Sequence, residues 1–187
     1  MAERLPFFTI GHSTHPLEEF AELLRAAGVQ RVVDIRKMPG SRKFPQFNES
    51  ALAESLPAHG FVYEHVALLG GLRGKSAGVA PETNAWWEND SFHRYADYAC
   101  TPAFDQGFAH LLTIGRQERC ALMCSEVLWW RCHRRIVTDH LLAHGETVWH
   151  IMGLGKLEAA HLSAGAVVGE GGAVRYPAAQ ASLLGAT

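Results

Sequence analysis

The amino-acid sequence predicts an α/β fold: an open, mainly parallel five-stranded sheet with helices on both faces, Rossmann-like and three-layered, plus a small C-terminal hairpin appendage. Three observations predict it. Short apolar runs alternate with stretches of helical periodicity through the first 155 residues. The run Val29 to Ile35 is nearly continuous and β-branched, the pattern of a strand buried on both faces. Two polar clusters, Gly11-His12-Ser13-Thr14 and Cys124-Ser125-Glu126, each sit just past an apolar run, where open parallel sheets gather their reactive groups.

Leu5 to Ile10 reads as the first strand. Leu17, Phe20, Leu24 and Ala27 recur at helical spacing, with Pro16 in the first turn and Gly28 behind, so a helix is expected from about His15 to Ala27. Val29 to Ile35 is the second strand. Arg36 to Phe47 is a loop, and Asn48 is placed to cap a helix that runs to about Ala58. Phe61 to Val66 alternates in the manner of an edge strand. Ala67 to Asp90 is irregular, holds Gly70-Gly71 and Trp86-Trp87, and at that length is expected to be a functional lid or a mobile segment. Ser91 to Glu118 reads as two helices broken near Thr101-Pro102. Cys120 to Met123 is the fourth strand, Cys132 to His144 a helix closed by Gly145, and Thr147 to Met152 the fifth strand. Val167 to Val174 reads as a hairpin with a Gly-rich turn. The expected organisation is an α/β domain over residues 1–155 that carries the site, with 156–187 a hairpin and tail packed on it or extending from it. The last ten residues, small and apolar, are expected to fray.

The chain has 187 residues, 48% of them hydrophobic and 19% charged, enough to bury one core. Its net charge of -2 excludes a global basic field for nucleic acid, so any such contact needs a local patch. No apolar run reaches the roughly 20 residues of a bilayer span, and Met1-Ala2-Glu3-Arg4 leads into a strand without a secretory apolar region. With four cysteines and no disulfide framework, a cytoplasmic location and no membrane partner are expected.

Several residues can carry chemistry. Gly11 lets the chain turn sharply against a ligand, and a helix N-terminus behind it suits a phosphate or carboxylate. Ser13 or Thr14 either donates to that anion or caps the helix. The sequence has no GxGxxG and no Walker lysine here, so standard dinucleotide and P-loop sites are not expected. Asp34-Ile35-Arg36 ends the second strand; Arg36 either grips an oxyanion or pairs with Asp34 to order the loop. Arg36, Lys37, Arg42 and Lys43 form a basic run interleaved with Phe44 and Phe47. Such a run either stacks single-stranded nucleic acid or is a solvated loop with its aromatics turned inward. Cys124, leaving the fourth strand at a helix N-terminus, has its thiolate favoured by backbone dipoles and nearby arginines, and Glu126 can act as acid or base. The spacing to Arg131 is Cys-x6-Arg, one residue longer than the phosphate loop of thiol phosphatases. Cys124, Cys132 and His133 are candidate zinc or iron ligands, but without a Cys-x2-Cys pair metal is not the favoured reading. His140 and His144, flanked by Ile136, Val137 and Leu141, read as part of a packed face.

Thr9-Ile10-Gly11-His12-Ser13, Asp34-Ile35-Arg36 with Pro39 and Ser41, Leu69-Gly70-Gly71, and Cys124-Ser125-Glu126 with Cys132-His133-Arg134 together resemble the signature of the domain-of-unknown-function 488 family. That family usually has Ala where this chain has Ser125, which leaves thiol and carboxylate in place. The resemblance implies a bacterial or archaeal cytosolic α/β protein whose Cys, Glu, His and Arg positions share a site.

The favoured reading is an enzyme acting on a phosphate- or carboxylate-bearing small molecule or nucleotide. Cys124 is then the nucleophile or redox group and Glu126 or His133 the proton carrier. Gly11, His12, Ser13, Asp34, Arg36, Arg42, Arg73 and Arg134 hold the anion. The alternatives are a nucleic-acid or nucleotide binding module built on the 36–47 loop and Trp86-Trp87, and a metalloprotein using Cys124, Cys132 and His133. No motif names a cofactor.

Overall fold

The computed structural model describes residues 4–179; Met1-Ala2-Glu3 and residues 180–187, where the leader expectation and most of the fraying expectation fall, lie outside them. The elements run β1 (Phe7–Gly11), α1 (Leu17–Ala26), β2 (Arg31–Asp34), α2 (Glu49–Ala58), β3 (Val62–His65), α3 (Asp90–Tyr98), α4 (Pro102–Gly115), β4 (Cys120–Cys124), α5 (Arg134–Ala143), β5 (Val148–Gly153), β6 (Lys156–Ala159), β7 (Val167–Val168) and β8 (Val174–Arg175).

The main sheet has the order β3-β2-β4-β1-β5-β6. β1 to β5 pair in parallel, as expected, and β3 is an edge. The sheet has six strands rather than five. Gly155, with φ +66°, turns the chain so that β6 adds antiparallel to β5. Lys156-Leu157-Glu158-Ala159 is largely exposed and carries little apolar pattern, which is why its strand was not legible. β7 and β8 form the expected hairpin.

Side chains alternate across the strands and build two apolar layers. Phe8, Ile10, Val32, Ala121 and Met123 pack with Phe20, Leu24, Leu52 and Leu56 of α1 and α2. Phe7, Val33, Cys120 and Leu122 pack on the opposite face with Tyr95, Phe104, Leu111, Ile136 and Val137 of α3, α4 and α5. β1 and β4 are hydrogen-bonded neighbours, with Gly11 opposite Cys124. The helix after β1 and the helix after β4 lie on opposite faces, so their loops part at the carboxyl edge and open a crevice there.

The stretch from 67 to 90 is anchored rather than free. Asn84 is buried, donates to Asp97 Oδ1 at 2.8 Å and accepts from the Tyr176 N–H at 3.1 Å. Trp87 is buried against Phe92 and Tyr176. Tyr176 in turn donates to Asp139 Oδ2 of α5 at 2.7 Å, and the Ser163 N–H donates to Oδ1 at 2.9 Å, which ties the segment after β6 to the body.

Candidate functional site

β4 ends at Cys124, whose side chain alternates with Cys120 and Leu122 onto the face of α3 and α5. Residues 125–133 then bring Cys132 and His133 to the start of α5. The donor atoms of Cys124, Cys132 and His133 all lie within 4.8 Å of one another. Cys132 Sγ is 3.6 Å from His133 Nδ1 and accepts from the Arg134 backbone N–H at 3.5 Å. His133 Nε2 lies 2.8 Å from the Ile35 carbonyl oxygen. A carbonyl only accepts, so Nε2 carries a proton, and Nδ1 faces the sulfurs, as a lone pair in the neutral ring and as a donor to a thiolate in the protonated one.

The two thiols are driven apart in acidity. The hydrogen bond from Cys132 holds Cys124 well below the ordinary thiol value, against the cost of burial, and His133 and Arg134 add to the effect. Burial pushes Cys132 well above it, and the negative charge on Cys124 pushes the same way. The pair therefore shares one thiolate, centred on Cys124.

These groups form the floor of a cavity of about 340 Å³. Leu72, Phe92, Tyr95 and Met38 make an apolar wall; Lys37, Arg131, Ser125 and Glu126 contribute the polar lining. Lys37 Nζ donates to the Leu72 carbonyl at 3.1 Å, across the mouth. Arg131 is exposed, and among the described residues its guanidinium has neither hydrogen bond nor ion pair. Glu126 Oε1 accepts from the Leu128 N–H at 3.1 Å, which shapes the turn and leaves Oε2 without a hydrogen bond among the described residues.

Three close approaches explain the glycines. A Cβ on Gly11 would lie 2.0 Å from the Glu126 carbonyl oxygen, so its role is to let the β1 and β4 turns touch. A Cβ on Gly70 would lie 2.7 Å from Lys37 Cα, and one on Gly71 would lie 2.9 Å from His133 Nδ1.

The turns after β1 and β4 do meet: the His12 N–H donates to the Cys124 carbonyl at 2.9 Å and the Ser13 N–H to the Ser125 carbonyl at 3.1 Å. Yet Gly11, His12 and Ser13 do not line the cavity, because the chain leaves β1 toward α1 on the far face. Pro16 precedes α1 without a side-chain cap, so neither Ser13 nor Thr14 caps it. His12 stacks on the buried Phe47 ring at 4.1 Å, donates through Nδ1 to the Ser13 carbonyl and accepts through Nε2 from Arg36 Nη1 at 3.2 Å. Burial holds its imidazole below the ordinary value, and a guanidinium only donates, so Nε2 is an acceptor in a neutral ring.

The other expected anion ligands are committed to the fold. Arg36 grips Asp34 at 2.9 and 2.6 Å and donates to the Phe47 carbonyl at 2.7 Å, and Tyr63 donates to Asp34 Oδ2 at 2.8 Å. The ion-pair alternative for Asp34 and Arg36 is the one adopted; Arg36 reaches the cavity wall with its guanidinium already occupied. Arg134 is 1% exposed and donates to the carbonyls of Ile10, Glu126 and Val127. Arg73 stacks 3.8 Å over Tyr98 and donates to the carbonyls of Gly70 and Ala67, so it braces the loop that carries Gly71. Arg42 is exposed and outside the cavity lining. The basic loop turns Phe47 inward, and Trp86 packs over Gly165 and beside Tyr176. Sequence reasoning did not assign Lys37, Arg131, Gly71 or Tyr95 to the site; the Cys-x6-Arg spacing was the available signal for Arg131.

Fold and site define a three-layer α/β protein with a thiol–imidazole cluster under a cavity at its switch point. A family model described as Domain of unknown function DUF488 matches residues 16–141, more than half of the chain, and the chain belongs to that family. No curated protein and no solved structure matches it. Among the described residues no helix is long and apolar enough to cross a membrane.

Proposed function

We propose that the protein is an enzyme that acts on a small phosphate- or carboxylate-bearing molecule, up to the size of a nucleotide, bound in the cavity over Cys124. One observation carries the reading: a cysteine polarised by a second thiol and an imidazole faces a cavity whose rim holds two cations, one of them without a partner among the described residues. A volume of about 340 Å³ suits a small metabolite. Arg131 and Lys37 hold the anionic end. Phe92 and Tyr95 take an apolar or planar body. The Cys124 sulfur is the electron-rich centre at the floor, and Glu126 is the carboxylate for proton transfer. A reduced thiol pair suits a cytoplasmic location.

The test is differential alkylation of chelator-treated, reduced protein. Cys124 is expected to react with iodoacetamide faster than Cys100, whose thiol burial pushes up. Inorganic phosphate or a nucleoside monophosphate is expected to slow that reaction, and Arg131→Ala to abolish the protection. Equal rates at the two cysteines, unmoved by any anion, overturn the reading.

A further inference from the structure

The spacing of donors beneath the cavity fits a coordination polyhedron. A tetrahedral zinc ion, with Zn–S of about 2.3 Å and Zn–N of about 2.1 Å, sets its S···N edge at about 3.6 Å and its S···S edge at about 3.8 Å. Cys132 Sγ and His133 Nδ1 stand 3.6 Å apart, and all three donor atoms fall within 4.8 Å. We infer that Cys124 Sγ, Cys132 Sγ and His133 Nδ1 hold a divalent cation of the zinc type, with the fourth position facing the cavity.

Three further observations support the site. The ring is fixed in the tautomer a metal needs, because Nε2–H is held by the Ile35 carbonyl; a ligating histidine is commonly oriented in this way through its other nitrogen. The approach to Nδ1 is kept clear by the missing side chain of Gly71, whose Cβ would stand 2.9 Å from that atom. The donors themselves are two soft sulfurs and an imidazole, a set that selects zinc over magnesium or calcium. Three protein ligands with an open fourth position are the arrangement of catalytic rather than structural zinc.

The inference rests on the proposed reading only for what fills the fourth position, an anionic oxygen of the substrate or a water whose proton Glu126 takes. With the ion in place Cys124 serves as a ligand, and the rim cations keep their role toward the anion.

The experiment uses the full chain, purified without chelator under a phosphine reductant. Elemental analysis is expected to find one zinc per chain. Cobalt added to the metal-free protein is expected to develop thiolate-to-cobalt charge-transfer bands and intense tetrahedral d–d bands, saturating at one equivalent. Cys132→Ser is expected to lose part of the charge-transfer intensity and to weaken binding by more than about a hundredfold, since outer-shell partners alone contribute roughly 10–100-fold. Cys100→Ser, outside the site, is expected to leave the spectrum unchanged, and circular dichroism checks folding of each variant. Wild-type protein that gives no cobalt bands at saturation, or metal content indifferent to Cys132→Ser in a folded chain, overturns the inference. Absent cobalt bands together with fast, anion-protected alkylation of Cys124 leave the enzyme reading standing alone. Cobalt bands that no phosphate or nucleotide perturbs, with no anion protection, support the metal site and remove the anion reading.

Discussion

Gly71 shows how much one missing methyl can decide. Its backbone has no positive φ, so alanine is conformationally acceptable there; the obstacle is the His133 ring. Gly71→Ala is expected to cost about 1–3 kcal/mol of stability, because the ring it meets is held by the Ile35 carbonyl. It is also expected to lower cobalt affinity at least about tenfold, as loss of a ligand's orientation does. A titration that matches wild type would separate His133 from the centre. Arg134 is the opposite case, a buried cation whose attraction for anions is used up by backbone. Arg134→Lys is expected to lose about 3 kcal/mol in urea unfolding, because the donors of an ammonium leave one nitrogen and cannot span carbonyls that the planar fork reaches from two. The residue types of the cluster were legible in sequence; their partners were not. Nothing in the order of Asp34, Arg36 and Arg134 says whether a guanidinium meets substrate or carbonyl. That depends on which atoms the fold leaves unsatisfied.

At the scale of elements, α3 sets the apolar wall. Asn89 caps it by accepting from the backbone N–H of Ser91 and Phe92, and the helix then carries Phe92 and Tyr95 to the cavity. Asn89→Ala is expected to cost about 1 kcal/mol of stability and to loosen that wall, checked by the urea midpoint and by faster labelling of Cys124. Tyr95 is held from its far end by donating to the Leu69 carbonyl at 2.6 Å. The five parallel strands were readable because their apolar patterns are strong, and the break at Thr101-Pro102 falls where Thr101 caps α4. β6 was missed because an exposed, charged edge strand has little apolar signature. That the 67–90 stretch is anchored was not legible, because its anchors, Asn84, Trp87 and Tyr176, are far apart in the chain.

The whole molecule is expected to weaken in mild acid. Burial lowers His140 to about 3 and His150 to about 4, so both stay neutral when folded. The unfolded chain takes up protons near pH 6.5 that the folded chain refuses. Stability is therefore full above about 6.5 and falls as the pH drops toward 4 and 3, by up to about 1.4 kcal/mol per unit for each histidine. Urea midpoints from pH 7.5 to 5 are expected to fall, and His140→Phe, which keeps a ring against Phe104 and Phe108, is expected to flatten the slope. A slope identical to wild type would remove His140 from the account.

Local patterns alone determined the alternation of strands and helices, the parallel pairing it requires, the family, and the presence of reactive types at strand ends. Apolar periodicity and turn chemistry are local, and a chain carries them without knowing its partners. Only the tertiary structure decided which strand-end residues share a cavity. β1 and β4 lie side by side, but their loops depart to opposite faces, so His12 and Ser13 turn away while Cys124 meets Cys132 and His133. Which side of a sheet a loop takes is fixed by the packing of the helix that follows, a property of the folded layers rather than of any short stretch of residues.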